Sequence, residues 1–213
     1  MNGLLRMALT KGRLESKTRE MLYSAGVDVT PLTDTGRRLL HKLPDAGVEV
    51  VLAKAHDVIA YVEHGVCDLG IVGKDTILEE GSSFYEVLDL GFGACRFALA
   101  ACSGQGFFGT TRHCRVATKY PKVAAAFFAG KGMDVEIIKL DGSVELAPIL
   151  GLADAIVDIV ETGATLRANG LVPIEDICRI SARLIVNVAS MKIRKTAVQE
   201  FMSLCRQGLG GLA

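Results

Sequence analysis

Short apolar runs alternate with amphipathic stretches along most of this chain, the spacing expected of β-α units around a mainly parallel sheet. Leu4 to Leu9 reads as a first strand and Lys11-Gly-Arg13 as a turn. Leu14 to Ala25 follows as a helix, with Leu14, Met21, Leu22 and Ala25 on one face and Gly26 as its stop. Val48 to Ala53 is a second strand, and Asp57 to His64 a helix with Val58, Ile59 and Val62 at helical spacing. Asp68 to Val72 is a strand closed by a turn at Gly73-Lys-Asp75. Near Leu90 the pattern changes, and Gly91-Phe-Gly93 reads as a hinge. Cys95 to Cys102 and Arg115 to Thr118 are predicted strands, Pro121 opens a helix through Val123 to Ala129, and Val135 to Leu140 and Ala153 to Val160 are strands again. Glu175 to Ala189 reads as one long extended segment. Lys192 to Gln207 reads as an amphipathic helix with Ile193, Ala197, Phe201, Leu204 and Cys205 on its apolar face. The pattern predicts an α/β fold of two lobes with a cleft between them, residues 1–90 with 179–213 forming the first and 91–178 the second. Ligands of such sheets bind beyond the carboxyl ends of the strands.

Composition narrows the function classes. Among 213 residues, Lys plus Arg and Asp plus Glu each number 24, so the formal net charge is zero and a general nucleic-acid binder is not expected. The amino terminus lacks the apolar core of an export signal, and no apolar run approaches the roughly 20 residues that cross a bilayer. A cytoplasmic location with no membrane partner is the expectation. The six cysteines form no C-x-x-C pair, which favours reduced, mostly buried thiols. His64 and Cys67 have a ligand-like spacing, but with no second pair the structural reading is preferred.

The segment Asp158-Ile-Val-Glu-Thr-Gly-Ala-Thr-Leu166 carries the clearest chemistry. A strand of small and branched residues runs into Asp158 and Glu161, then into Thr162-Gly-Ala-Thr165 and a short helix that ends at Asn169-Gly170. Gly163 permits a tight turn and close backbone approach, and free N–H groups with the Thr162 and Thr165 hydroxyls suit a phosphate. Asp158 and Glu161 would repel a bare phosphate but accept hydrogen bonds from ribose hydroxyls or hold Mg²⁺. A phosphorylated sugar satisfies both halves. A Thr-capped helix after a core strand explains the segment alone equally well.

Glu145, Gly151-Leu-Ala153, Ile156-Val-Asp158-Ile159 and Thr162-Gly-Ala-Thr-Leu166, at these spacings, resemble the signature of the ATP phosphoribosyltransferases. Lys11-Gly-Arg13, Asp68-Leu-Gly-Ile-Val-Gly-Lys-Asp75, Arg115-Val-Ala-Thr-Lys-Tyr-Pro121, Gly142-Ser-Val-Glu-Leu-Ala-Pro148 and Ile180-Ser-Ala-Arg-Leu-Ile-Val-Asn187 resemble further family blocks, in family order over nearly the whole chain. The resemblance implies a type II, periplasmic-binding-protein-like fold. It implies joining of N1 of ATP to C1 of 5-phosphoribosyl 1-pyrophosphate with loss of pyrophosphate, the first step of histidine biosynthesis, with Mg²⁺ held mainly through substrate phosphates. It makes Glu145, Asp158, Glu161, Thr162, Gly163, Ala164 and Thr165 the phosphoribosyl pyrophosphate site, Lys11, Arg13 and Lys54 the catalytic cations, and Gly73, Lys74 and Asp75 candidates for ATP. No Ser elbow or Cys–His signature occurs, in keeping with an adenine nucleophile that brings its own lone pair.

Two positions depart from the family pattern. Lys54 stands where most relatives have arginine, keeping the charge but losing the bidentate fork. Val188 follows Asn187 where arginine is common. Gly104-Gln-Gly-Phe-Phe-Gly109 matches G-x-G-x-x-G, yet the residues after it read as a turn and a strand rather than a helix, so it is taken for a loop. The chain ends after the Lys192–Gln207 helix, which resembles the short form of the family. Such chains work with a histidyl-tRNA-synthetase-like regulatory subunit, in a dimer or larger hetero-oligomer. The apolar faces of Leu14–Ala25 and Lys192–Gln207 suit either that contact or core packing. The rival from another class is a non-catalytic small-ligand-binding module of the same two-lobed fold.

Overall fold

The computed structural model describes residues 3–33, 38–81, 83–104, 107–108 and 114–211. Two compact units emerge, Met1–Gly93 with Ser181–Ala213, and Ala94–Ile180. The first unit opens with β1 (Leu5–Thr10), α1 (Arg13–Ser24), β2 (Leu40–Leu43), β3 (Val48–Ala53), α2 (Ala55–Glu63), β4 (Leu69–Gly73), α3 (Lys74–Glu80) and β5 (Phe84–Asp89). The second unit holds β6 (Cys95–Cys102), β7 (Cys114–Thr118), α4 (Pro121–Gly130), β8 (Val135–Lys139), α5 (Leu146–Ile149), β9 (Ala155–Val160), α6 (Ala164–Ala168) and β10 (Leu171–Ile180). The chain then returns to the first unit through β11 (Ala182–Asn187), α7 (Val188–Ile193) and α8 (Lys195–Gly210).

In the first unit the strands run in the order β2-β3-β1-β4-β11-β5. β1 is parallel to both β3 and β4, with Thr10 opposite Ala53 and Leu9 opposite Ile71. Leu5, Met7, Ala8 and Leu9 are all buried, as expected of an inner parallel strand covered on both faces. Glycine is needed in the middle of β4, because a Cβ on Gly70 would lie 2.8 Å from Val62 Cγ2 and 3.0 Å from Val58 Cγ1. α2 therefore packs directly on that strand. On the other face Met21 and Leu22 of α1 join Val198, Phe201 and Cys205 of α8 in one core with Met7, Val50 and Leu184. The apolar faces of α1 and α8, which the sequence left open to a partner, are spent on each other and on the sheet.

The amino ends of these strands are tied by Asp68. Its carboxylate accepts from Arg6 N at 2.8 Å, Ser190 Oγ at 2.8 Å and Arg194 Nη1 at 2.9 Å. Asn187 caps α7 by accepting from Ala189 N and Ser190 N, and its Nδ2 donates to the Val62 carbonyl at 2.7 Å. Val188 begins α7 and is 38% exposed, with no charge to offer.

The second unit is a five-stranded sheet in the order β10-β6-β9-β7-β8, with β7 parallel to β8 and β9, and β6 antiparallel to β9 and β10. Alternation along β6 sends Phe97 and Leu99 to a core with Val116, Phe128 and Val157. It sends the small Ala98 and Ala100 to the other face, with Ile156, Val144, Ala147 and Leu166. Small side chains there let the short helices α5 and α6 lie close to the sheet.

Several expectations are corrected. The segment Glu175–Ala189 is not one extended piece: it belongs to β10, breaks at Ser181, and resumes as β11 in the other sheet. Gly73-Lys-Asp75 is not a turn but the cap and first turn of α3. The last helix begins at Lys195, so Ile193 lies outside it and is 82% exposed, while Val198 takes a core place. Strands β2 and β5 were not foreseen. Of the six cysteines, Cys67, Cys114 and Cys205 are buried, and Cys95, Cys102 and Cys178 only half-buried. Burial pushes the Cys67 thiol up to about 11 and that of Cys205 to about 12, which makes both inert. Three of the six residues of the Gly104–Gly109 motif, 105, 106 and 109, lie outside the described residues. Among the described residues no helix is long and apolar enough to cross a membrane.

Candidate active site

In the second unit, the carboxyl ends of parallel β7, β8 and β9 lead into three loops on one edge of the sheet. Within β9, Ile156 and Val160 belong to the core beneath α5 and α6, so alternation sends Asp158 to that same face. Half-buried Asp158 has its carboxyl pushed above the usual carboxylate range. Burial is the main cause, nearby Glu145 adds to it, and the Ile159 N–H and Lys119 oppose it. Ile159 N donates to Asp158 Oδ1 at 2.8 Å. Glu145 directly precedes α5 and follows Ser143, whose φ of 49° is the one positive value at a non-glycine among the described residues. Strain of that kind collects where a loop is held for use.

β9 ends at Val160, and the chain turns through Glu161, Thr162 and Gly163 into α6. Gly163 has φ 71° and ψ 10°, the left-handed conformation in which glycine is at ease. Thr162 Oγ1 accepts from Ala164 N at 3.3 Å. Leu166, 4% exposed, anchors α6 to the core, while Thr162, Ala164 and Thr165 are exposed. At the far end Asn169 Nδ2 donates to the Thr165 carbonyl at 2.9 Å, and Gly170 turns the chain with φ 71°. The acceptor carboxylates, the tight turn and the two hydroxyls are thus brought together within this unit.

The first-unit candidates share a different sheet edge. Lys11, Lys54 and Lys74 follow directly the carboxyl ends or last residues of adjacent parallel β1, β3 and β4. Lys11 N donates to the Ala53 carbonyl at 3.0 Å, which fixes its turn beside Lys54. Gly12, with φ 85°, caps α1, and Arg13 is that helix's first residue. Lys11, Arg13 and Lys54 are exposed. Lys74 is half-buried, and its ammonium is paired with Glu86, which also faces Arg183 Nε at 3.5 Å. A Cβ on Gly73 would lie 2.0 Å from Asp75 Oδ1, so any larger residue there makes the Asp75 side chain give way.

Sequence reasoning passed over Lys119 and Arg167, two cations beside the Asp158 loop. Lys119 follows a predicted strand just as Lys54 does, and that placement was the available signal. Among the described residues no group of three or more His, Cys, Asp and Glu is arranged to hold a metal by itself.

The HisG family profile, ATP phosphoribosyltransferase, matches residues 54–207. The ATP phosphoribosyltransferase of Clostridium kluyveri is 54% identical over 199 residues, 93% of this chain and 91% of its own. That of Clostridium acetobutylicum is 54% identical over 201 residues, 94% of each. Among solved structures, the ATP phosphoribosyl transferase (HisG:HisZ) complex from Thermotoga maritima aligns with a TM-score of 0.83 and 34% identity, covering 97% of this chain and 99% of that one. An Archaeoglobus fulgidus protein, 14% identical with a TM-score of 0.59 over 96% of this chain and 74% of its own, shares the fold alone. The fold is the type II, periplasmic-binding-protein-like α/β fold expected from the sequence. With a profile that spans most of its length and relatives identical at more than half of the aligned positions, this chain belongs to the ATP phosphoribosyltransferase family.

Proposed function

We propose that this chain condenses ATP with 5-phosphoribosyl 1-pyrophosphate to give N1-(5-phosphoribosyl)-ATP and pyrophosphate, the first step of histidine biosynthesis. The observation that carries the reading is the left-handed turn at Gly163, set between Asp158 and Thr165 at the carboxyl end of β9. Asp158 and Glu145 accept hydrogen bonds from ribose hydroxyls, and the Thr162–Thr165 turn takes the sugar's phosphate. Adenine N1 attacks C1 with its own lone pair as the C1–O bond to pyrophosphate breaks and the electron pair departs with pyrophosphate. The chain supplies position and cations rather than a nucleophile. Lys11, Arg13 and Lys54 are the exposed cations assigned to the phosphate charge, and Gly73 and Asp75 at the start of α3 are assigned to ATP. Lys74, engaged by Glu86, orders that turn more than it offers free charge. Asp158 and Glu145 would offer the one or two carboxylates that Mg²⁺ takes from protein, and the ion, brought in mainly by substrate phosphates, would supply positive charge for the pyrophosphate leaving group.

The Thermotoga maritima structure is a HisG:HisZ complex. By that likeness this chain is assigned a histidyl-tRNA-synthetase-like regulatory partner in a hetero-oligomer, and a cytoplasmic location. The site is tested by titrating phosphoribosyl pyrophosphate into wild type and Thr165→Ala and by comparing their melting temperatures. Weakened binding at unchanged stability supports it. Equal loss of both favours a Thr-capped structural helix.

A further inference from the structure

We propose that Arg167 is a substrate-binding residue that holds the phosphomonoester of the phosphoribosyl substrate over the Gly163 turn; this rests on the site reading just given. Burial of Leu166 fixes the roll of α6 and leaves Thr165 and Arg167 outward. Position 167 lies four residues beyond Gly163, one helical turn, and helical side chains lean toward the amino end of their helix. Accordingly, Arg167 Nη1 lies 3.1 Å from the point that a Cβ on Gly163 would occupy. The guanidinium covers the turn at the place where its backbone is bare, among exposed Thr162, Ala164 and Thr165.

That placement divides the labour of the loop. Glu145 and Lys119 act on Asp158, the residue to which the site reading assigns the ribose hydroxyls. Arg167 stands on the turn side, and its planar fork matches two phosphate oxygens at once. Glycine at 163 then has two reasons: the left-handed φ of 71°, and room for the guanidinium. The cations assigned from sequence all lie in the first unit, so Arg167 gives the second unit a phosphate donor of its own.

The test compares wild type, Arg167→Gln and Arg167→Lys by calorimetric titration with ribose 5-phosphate and with pyrophosphate, together with melting temperatures and steady-state kinetics. Loss of a charge-assisted hydrogen bond predicts roughly ten- to hundredfold weaker ribose 5-phosphate binding in Arg167→Gln. Pyrophosphate affinity, melting temperature, kcat and the KM for ATP stay as in wild type, the KM for phosphoribosyl pyrophosphate rises, and Arg167→Lys falls between. Unchanged ribose 5-phosphate binding overturns the proposal. So does equal weakening of both ligands, which indicates a general field, and so does weakening that tracks a loss of stability. If wild type binds neither ribose 5-phosphate nor phosphoribosyl pyrophosphate, the site reading itself fails and this assignment falls with it.

Discussion

The Thr118 hydroxyl donates to the Val157 carbonyl at 2.6 Å and accepts from Tyr120 N at 2.9 Å, joining the end of β7 to β9 one residue before Asp158. Thr118 is fully buried, so this bond is shielded from water and has no substitute. Thr118→Val keeps the shape and leaves the buried Val157 carbonyl and the part-buried Tyr120 N–H without their side-chain partner, at a cost of about 1–3 kcal/mol. Denaturant unfolding should register that loss, and the KM for phosphoribosyl pyrophosphate should rise as Asp158 loses its support. Unchanged stability would show that the strands hold their register without this hydroxyl.

Gly163→Val should injure binding more than folding. The substitution forces a branched residue into a left-handed backbone, costing about 1–2 kcal/mol, and sets side-chain atoms against the Arg167 guanidinium. Affinity for phosphoribosyl pyrophosphate should fall by at least an order of magnitude, measured by calorimetry. Comparable affinity with a normal melt would mean that the turn does not meet substrate.

Asp158 gives a prediction in pH. Its folded pKa is raised, so the folded state holds the proton more tightly than the unfolded chain does. The stability it contributes is full below the ordinary aspartate value of 3.8 and is lost as pH rises through the higher folded value, so the ionised carboxylate is a burden at neutral pH. Asp158→Asn should therefore melt at least as high as wild type at pH 7 while losing activity, and should lose its advantage in acid. A variant less stable than wild type at pH 7 would identify the carboxylate as a structural anchor instead.

What the sequence made legible follows from where local and long-range information diverge. The run Ala153–Val160 with Thr162-Gly-Ala-Thr165 is local in every respect, and both the strand and the αL turn are found where the residues suggested. The break at Ser181 could not be seen locally, because Leu171–Ile180 and Ala182–Asn187 are both extended and only their partners differ: β6 for one, β4 and β5 for the other. β5 was invisible for a related reason. Its Tyr85 and Glu86 are exposed on an edge strand, so no apolar alternation announces it. Asp158 was legible as a residue, but its place beside Glu145 depends on β9 lying under α5.

Gly208 shows the same limit in the first unit. A Cβ there would lie 2.1 Å from the Met21 carbonyl oxygen, so α8 passes α1 with backbone against backbone. Gly208→Ala must push the helices apart, with an overpacking cost of about 1–3 kcal/mol. Thermal unfolding should fall by several degrees, while the KM for phosphoribosyl pyrophosphate of the remaining folded protein stays near wild type. An unchanged melt would contradict this packing.

A phosphoribosyl transferase whose second-unit loop holds the sugar must need both the two substrates and the Asp158 carboxylate to release pyrophosphate. The most direct measurement is pyrophosphate release from ATP, phosphoribosyl pyrophosphate and Mg²⁺, with the regulatory subunit added, for wild type and Asp158→Asn side by side. Release that requires both substrates in wild type, and a loss of at least tenfold in the variant, are the expected outcomes. No release from wild type, or equal release from the two proteins, would contradict that reading.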